Sequence, residues 1–531
     1  MEETPGFTLK QDVEVAQAAG IIALGNIASR MLGLAREMVK SGLFGAGGHV
    51  SALNAAMRIP IMIYDLLVGG IVSSALVPVL SDYTAPERRA ELCRLLGVLV
   101  SVTLLVLCGF VLVGECLAPW ITRLIAGGLS ASYQALASNL LRLVLPAVIF
   151  LSLSSVLSGA LYALKRFTLP AFTAAVFNAT MVLMALALGQ RWGVRSMAVG
   201  MLLGALLQVV LQAPGLQDIR LRIAFNLNHP ALRHIGRLYL PILLGLIVDK
   251  LAELLSYRLA SHISDPAISW MDYAAQIIQF PLGLVVTAVS IAILPTLSRQ
   301  AAGENLASFR ATLAQGLRLA LALIIPSAAG LYVLAHPIVA LILEHGQFSA
   351  ADTLATAETL RCALLGLLFT AVDQPLIFAF YARKDTLTPA LVGVGTTLLY
   401  VVMALVPWRL GVLTLPLLVL INSLKLTTHA LAMLVLTRRR LGGLGGYGMP
   451  WFILKATLAS LVMAAAVWGV SRALADVTPG GLAGELVLVG GAGGVGVLVY
   501  GLLALVLRIK EVHLLRFAAR DGLRRLTGGR R

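Results

Sequence analysis

The chain has 531 residues, 59% of them hydrophobic and 12% charged, with a mean hydropathy of +0.91. That balance excludes a soluble globular protein of this length and leaves no polar stretch long enough for a separate catalytic domain. The formal net charge of +16 would suggest nucleic acid in a soluble protein, but in a membrane protein the cations are placed first by topology.

Met1 to Lys10 is polar and acidic, and the first apolar span contains Arg30 and Arg36, so the N-terminus reads as retained rather than as a cleavable signal peptide. Hydropathy predicts an all-α polytopic membrane protein. Its spans, about fourteen, fall near residues 15–41, 50–80, 93–122, 134–162, 168–189, 194–215, 235–261, 268–297, 309–343, 355–381, 388–408, 411–436, 450–474 and 484–507. Alternate connections hold the basic residues: Arg88, Arg89 and Arg94; Lys165 and Arg166; Arg220, Arg222 and Arg233; Arg299 and Arg310; Arg383 and Lys384; Arg438, Arg439 and Arg440. The tail adds Arg516, Arg520, Arg524, Arg525, Arg530 and Arg531, whereas the opposite connections hold scattered cations such as Arg191, Arg195 and Arg409. The positive-inside rule then puts both termini in the cytoplasm, with a secondary attraction to anionic membrane lipids and no call for nucleic acid. Cys93, Cys108, Cys116 and Cys362 form no CxxC pair and read as packing residues.

An internal repeat organises these spans. Val72-Ser-Ser-Ala-Leu-Val-Pro78-Val-Leu-Ser81 matches Val289-Ser-Ile-Ala-Ile-Leu-Pro295-Thr-Leu-Ser298. At nearly the same offset, Leu161-Tyr-Ala-Leu-Lys165-Arg166-Phe-Thr-Leu-Pro170 matches Phe380-Tyr-Ala-Arg-Lys384-Asp385-Thr-Leu-Thr-Pro389. The offset equals six spans. It predicts lobes over 1–220 and 221–440 around a central cavity, plus two added C-terminal helices and a basic tail over 441–531.

Polar residues inside spans are the next signal, because each is costly in lipid and usually faces the bundle interior. Ser29, Gly33 and Arg36 share a helical stripe, with Arg30 to one side; Ser51, Asn54, Arg58 and Asp65 form another. Later spans carry Asp249, Glu253 and Ser256; Asp272, Gln276 and Gln279; and Asn422, Lys425 and His429. Each stripe could serve only as interhelical hydrogen bonds. Arg30, Arg36 and Arg58, however, form a cationic set without an equal number of acids nearby, and a guanidinium fork suits phosphate. Asp249 and Glu253 are coupling-ion candidates, against plain pairing with Lys250; Lys425 is a further cavity candidate. Pro60 and Pro281 stand beside their stripes as candidate hinges. Gly491-Ala-Gly493-Gly-Val-Gly496 fits GxGxxG formally, but it lies in an apolar span without a preceding strand and reads as close helix packing. With no P-loop, nucleophile elbow or metal-ligand cluster, no cofactor and no catalysis are expected, and the motor would be an ion gradient, a monovalent cation among the candidates, or the membrane potential.

Ser29-Arg30-Met-Leu-Gly33-Leu-Ala-Arg36-Glu, Leu43-Phe-Gly-Ala-Gly47, Arg58-Ile-Pro60 and Ala75-Leu-Val-Pro78 resemble the N-terminal signature of the MurJ/MviN lipid II flippases. Tyr273-Ala, Phe280-Pro281, Glu344-His-Gly346-Gln-Phe348, Asp352-Thr353 and Phe380-Tyr-Ala-Arg-Lys-Asp385 extend the likeness along the chain. That family belongs to the multidrug/oligosaccharidyl-lipid/polysaccharide exporter superfamily. The resemblance implies fourteen helices, location in the bacterial cytoplasmic membrane, and alternating-access flipping of undecaprenyl-pyrophosphoryl disaccharide-pentapeptide for peptidoglycan synthesis. It assigns substrate contact to Ser29, Arg30, Arg36 and Arg58, and a lipid-tail groove to the last two helices. Expected partners are the lipid-linked precursor, membrane lipids and the cell-wall synthesis machinery. This chain departs from the family pattern at Gln276, where many members have arginine, at Ala275, where they have an acid, and at Ser51, where aspartate is common. Gln276 keeps open a flippase for another polyprenyl-linked glycan; a cationic cavity disfavours a multidrug exporter. A scaffold without transport would tolerate neutral residues at Arg30, Arg36 and Arg58.

Overall fold

The computed structural model describes residues 5–66, 76–219, 230–303, 305–478, 481–509 and 511. Residues 72–75 of the first repeat motif, Arg220 and Arg222, and the basic tail from 512 lie outside the described residues. Among the described residues every regular element is helical, as lipid demands of a chain whose backbone polar groups must be satisfied within each segment.

Two compact units divide the chain: Met1–Ser269 with His345–Phe348, and Trp270–Glu344 with Ser349–Arg531. The first holds α1 (Pro5–Phe44), α2 (Gly48–Tyr64), α3 (Val77–Ser81), α4 (Arg89–Ala126), α5 (Ala131–Val144), α6 (Ala147–Ala163), α7 (Thr168–Trp192), α8 (Arg195–Gln212) and α9 (Pro230–Ile263). The boundary falls inside α10 (Ala267–Pro281). The second unit continues with α11 (Ala288–Ala302), α12 (Leu306–Val333), α13 (Ala335–Leu343), α14 (Ala350–Ala382), α15 (Leu387–Arg409), α16 (Leu415–Leu441), α17 (Met449–Ala475) and α18 (Leu482–Val506). α9, which the repeat numbering assigns to the second half, packs on α4 within the first unit. Compact unit and sequence repeat are therefore different divisions of this chain.

Eleven helical segments among the described residues are long and apolar enough to cross a membrane, and each falls on an expected span. The three other expected spans fall on α1, α2 and α9, the helices of the first unit that carry the polar stripes. α4 illustrates the lipid-facing surface: Leu105, Val106, Phe110, Leu112, Val113 and Trp120 are all exposed. An apolar face of that extent is untenable in water and well solvated by acyl chains.

Several local expectations change. The span at 309–343 is two helices, α12 and α13, broken at Leu334. α2 continues through Pro60 to Tyr64, whereas Pro281 ends α10 and a π-helical turn, Leu282–Thr287, follows. Proline removes a backbone donor, and wider i→i+5 bonding absorbs the mismatch. Cys108 and Cys116 are exposed on α4 rather than packed. A Cβ on Gly496 would meet Val467 Cγ2 at 2.9 Å and one on Gly491 would meet Leu474 Cδ1 at 3.0 Å; these two glycines let α18 approach α17.

The repeat recurs in three dimensions. Lys165 and Lys384 hold matching positive φ values of 58° and 61°. The Arg166 and Asp385 amides donate to the carbonyls of Leu161 and Phe380 at 2.8 and 3.0 Å. Each turn closes on a core of matched positions: Leu80, Leu157, Ala160 and Leu161 in one, and Leu297, Leu376, Ala379 and Phe380 in the other, all at most 4% exposed. Each is also latched by an ion pair of opposite polarity. Arg166 binds Asp218 through two bonds of 2.7 and 2.9 Å, helped by Arg89; Asp385 binds Arg440. Hydrogen bonding from Arg166 holds the Asp218 carboxyl well below the usual range. Burial pushes Asp385 up, but bonds from the Thr388 backbone and hydroxyl, and Arg440, outweigh it and lower its pKa.

Candidate functional site

In the first unit α1 lies along α7 and turns back into α2, and the stripes of these helices meet as a polar track. Asn178 of α7 joins two expected residues: its Nδ2 donates to the Ser29 carbonyl at 3.2 Å, and its Oδ1 accepts from Arg36 Nη1 at 3.0 Å. Arg36 also donates from Nε and Nη2 to Glu37 Oε1 at 3.1 and 2.7 Å. Glu37, almost fully buried, pairs in turn with Lys40. Lys40 Nζ reaches Asn54 Oδ1 on α2 at 3.4 Å. Arg30 is half-buried beside Ser29.

Along α2 the stripe passes from closed to open. Ser51 is fully buried and bonds to the Ser269 hydroxyl at 3.1 Å, so it ties α2 to the start of α10 as a packing residue. Asn54 is buried, Arg58 is half-buried with its side chain 32% exposed, and the Asp65 side chain is 38% exposed. Arg58 pairs across helices with Glu253 of α9 and lies 5.8 Å from the ring centre of Tyr257. Lys250, one turn before Glu253, donates to Asp65 Oδ2 at 2.7 Å and to Glu253 Oε2 at 3.4 Å. The expected shortage of acids is thus corrected. Glu37 and Glu253 each engage one arginine, because a guanidinium in a low-dielectric interior must find an anion or stay hydrated. Glu253 does pair with Lys250, and with Arg58 as well, while Asp249 is exposed.

Gln276 and Lys425 belong to the second unit, both half-buried, on α10 and α16. His429 departs from its expected stripe. Asn422 is exposed and Lys425 half-buried, but His429 is buried, its Nδ1 2.8 Å from Asp373 Oδ1 of α14. Asn178 and Lys40 on the track, and Asp373 beside His429, are partners that the stripes alone did not pick out. Asp373 had a signal of its own, an acid in the middle of the apolar span 355–381. The partner of a polar residue on another helix has no signature in helical spacing.

The motif around Gly346 also has a structural account. The Gln347 amide donates to the Gly42 carbonyl at 3.0 Å, and Gly346, at φ 58°, leaves no room for a Cβ, which would stand 2.2 Å from that oxygen. Thr353 Oγ1 donates to Glu344 Oε2 at 2.6 Å. Asp352 caps α14 with Ser349 and accepts from Trp270 Nε1 at 2.9 Å.

A family model described as "Lipid II flippase MurJ" matches residues 40–483. A protein of Burkholderia cenocepacia named "Lipid II flippase MurJ" is 29% identical over 377 residues, covering 69% of this chain and 73% of that protein. One from Vibrio cholerae, named "Probable lipid II flippase MurJ", is 30% identical over 482 residues, covering 85% of this chain and 90% of that protein. Among solved structures, "Lipid II flippase MurJ, inward closed conformation" superposes with a TM-score of 0.77 at 23% identity, over 92% of this chain and 98% of that one, which shows a shared fold.

Proposed function

Because the chain belongs to the MurJ lipid II flippase family, we propose that it is a transporter and not an enzyme, and that it moves lipid II from the inner to the outer leaflet of a bacterial cytoplasmic membrane by alternating access. The family match over residues 40–483 carries this reading. The polar track adds chemical sense. A diphosphate-linked glycolipid needs cations at the depth of the membrane, and Arg58 and Arg36 are planar donors, partly exposed, on the polar stripes of two largely apolar helices. We assign substrate contact to Ser29, Arg30, Arg36 and Arg58, with Gln276 as a neutral neighbour of the head group. In the same proposal the two repeats act as lobes that rock around the substrate, Pro60 and Pro281 serve as hinges, the last two helices take the lipid tail, and both termini are cytoplasmic. The driving force is an ion gradient or the membrane potential. Asp249, Glu253 and Lys425 are the residues offered for coupling, a monovalent cation being the ion they suit, and the cell-wall synthesis machinery is the expected partner.

A neutral Gln276 favours, as the second reading, a flippase for another polyprenyl-linked glycan. Complementation separates the two. Growth of a bacterium depleted of its own lipid II flippase, restored by this chain, supports lipid II. Restoration by Gln276→Arg alone, or none despite membrane expression, moves the assignment to the other glycan.

A further inference from the structure

The Arg36–Glu37 and Arg58–Glu253 pairs differ in how they can open. Arg36 and Glu37 are neighbours on one helix, and the Glu37 side chain is only 5% exposed, so no movement between helices separates them. Arg58 and Glu253 belong to α2 and α9, with side chains 32% and 21% exposed, so a ligand can reach the pair and helix movement can part it. Glu253 is divided between two cations: Oε1 faces Arg58, and Oε2 lies 3.4 Å from Lys250. Lys250 is on the same helix as Glu253 and is itself held by Asp65 at 2.7 Å. Two cations and two carboxylates balance. The buried Nε of Arg58 has no acceptor.

We propose that the Glu253 carboxylate is an internal substitute for the substrate's phosphate on Arg58, and that substrate binding transfers Glu253 to Lys250. This rests on the assignment of Arg58 to phosphate contact. Carboxylate and phosphate present the same paired oxygens to a guanidinium fork, so they compete for one site. A displaced carboxylate left alone at this depth would oppose binding strongly; Lys250 removes that obstacle because it travels with α9 and is already within reach. The exchange removes one of the two ionic ties between α9 and α2 when substrate is present, leaving Lys250 on Asp65, and the return of Glu253 to Arg58 expels the phosphate afterwards. Glu253 therefore trades affinity for release. α9 is also the last helix before the chain enters the second unit at Trp270, which makes its attachment to α2 a sensible point of control.

The test uses the full-length protein in nanodiscs titrated with undecaprenyl diphosphate, and in proteoliposomes for transport of the same lipid. Glu253→Gln should bind roughly three to ten times more tightly, the competition of one partly exposed ion pair, and transport more slowly. Glu253→Asp, which keeps the charge beside Lys250 but withdraws it from Arg58 by one methylene, should shift affinity the same way and guards against a folding defect in the first variant. Arg58→Ala should weaken binding in either background, so that the double variant matches Arg58→Ala. If Arg58→Ala weakens binding while both Glu253 variants leave affinity unchanged or lower it, the exchange is wrong and the Arg58 assignment stands. Wild-type binding by Arg58→Ala overturns both.

Discussion

The closed turns of the two repeats and the open polar track of the first unit are built on opposite terms. At the turns, Leu80 and Leu297, and Ala160 and Ala379, occupy matched positions at no more than 1% exposure. Even the latch survives with its charges exchanged, Arg166 with Asp218 in one and Asp385 with Arg440 in the other. The polar residues of the spans do not repeat in this way. The first unit pairs guanidinium groups with two carboxylates, Glu37 buried and Glu253 partly exposed; the second buries His429 against Asp373. Packing demands only volume and apolarity, so two halves can satisfy it identically. A polar track demands particular charges, and the repeat does not oblige both halves to supply the same ones.

That contrast can be broken at several points. Arg58→Ala should abolish support of growth in a flippase-depleted strain while the protein still reaches the membrane. Its binding of undecaprenyl diphosphate should fall about 10- to 100-fold, the loss of a charge-assisted contact. Leu80→Ala and Leu297→Ala should each cost about 2–5 kcal/mol in thermal melts of the purified protein, and by similar amounts, since each empties a fully buried site; a large difference would dissolve the equivalence of the two cores. Gly346→Ala places a Cβ against the Gly42 carbonyl at positive φ and should cost about 1–3 kcal/mol. Arg440→Asp should cost no more than about 1 kcal/mol, because the latch is largely exposed, and adding Asp385→Arg should recover most of it by giving the second latch the polarity of the first.

The smallest effect is a pH dependence. The Asp218 carboxyl, 40% exposed, titrates below its unfolded value of about 3.8. Its contribution is therefore present above that pH and lost as pH falls through the folded value. The difference in melting temperature between wild type and Asp218→Asn should be constant from about pH 5 to 8 and shrink below about pH 4.

The fold was largely legible because lipid makes two signals strong: apolar length gives the spans, and the repeated Tyr-Ala-x-Lys turn gives the internal symmetry. The eleven strongly apolar segments fall where expected. Three features escaped. The break at Leu334 is flanked by Gly330 and Pro337, but neither interrupts the apolar run that reads as one span. α9 packs with the first unit because of its tertiary contacts with α4, which the repeat offset does not record. For the candidate site, helical spacing found Ser29, Arg36, Arg58 and Glu253 but not which groups they meet, since Asn178 lies 142 residues from Arg36 and no period connects them.

The most direct test of the central claim is the amount of lipid II exposed on the outer leaflet when cells depleted of their own flippase express this chain. The account predicts that it rises to the level of undepleted cells and stays at the depleted level with Arg58→Ala. Outer-leaflet lipid II that stays low with the wild-type chain in the membrane, or that rises equally with Arg58→Ala, would contradict it.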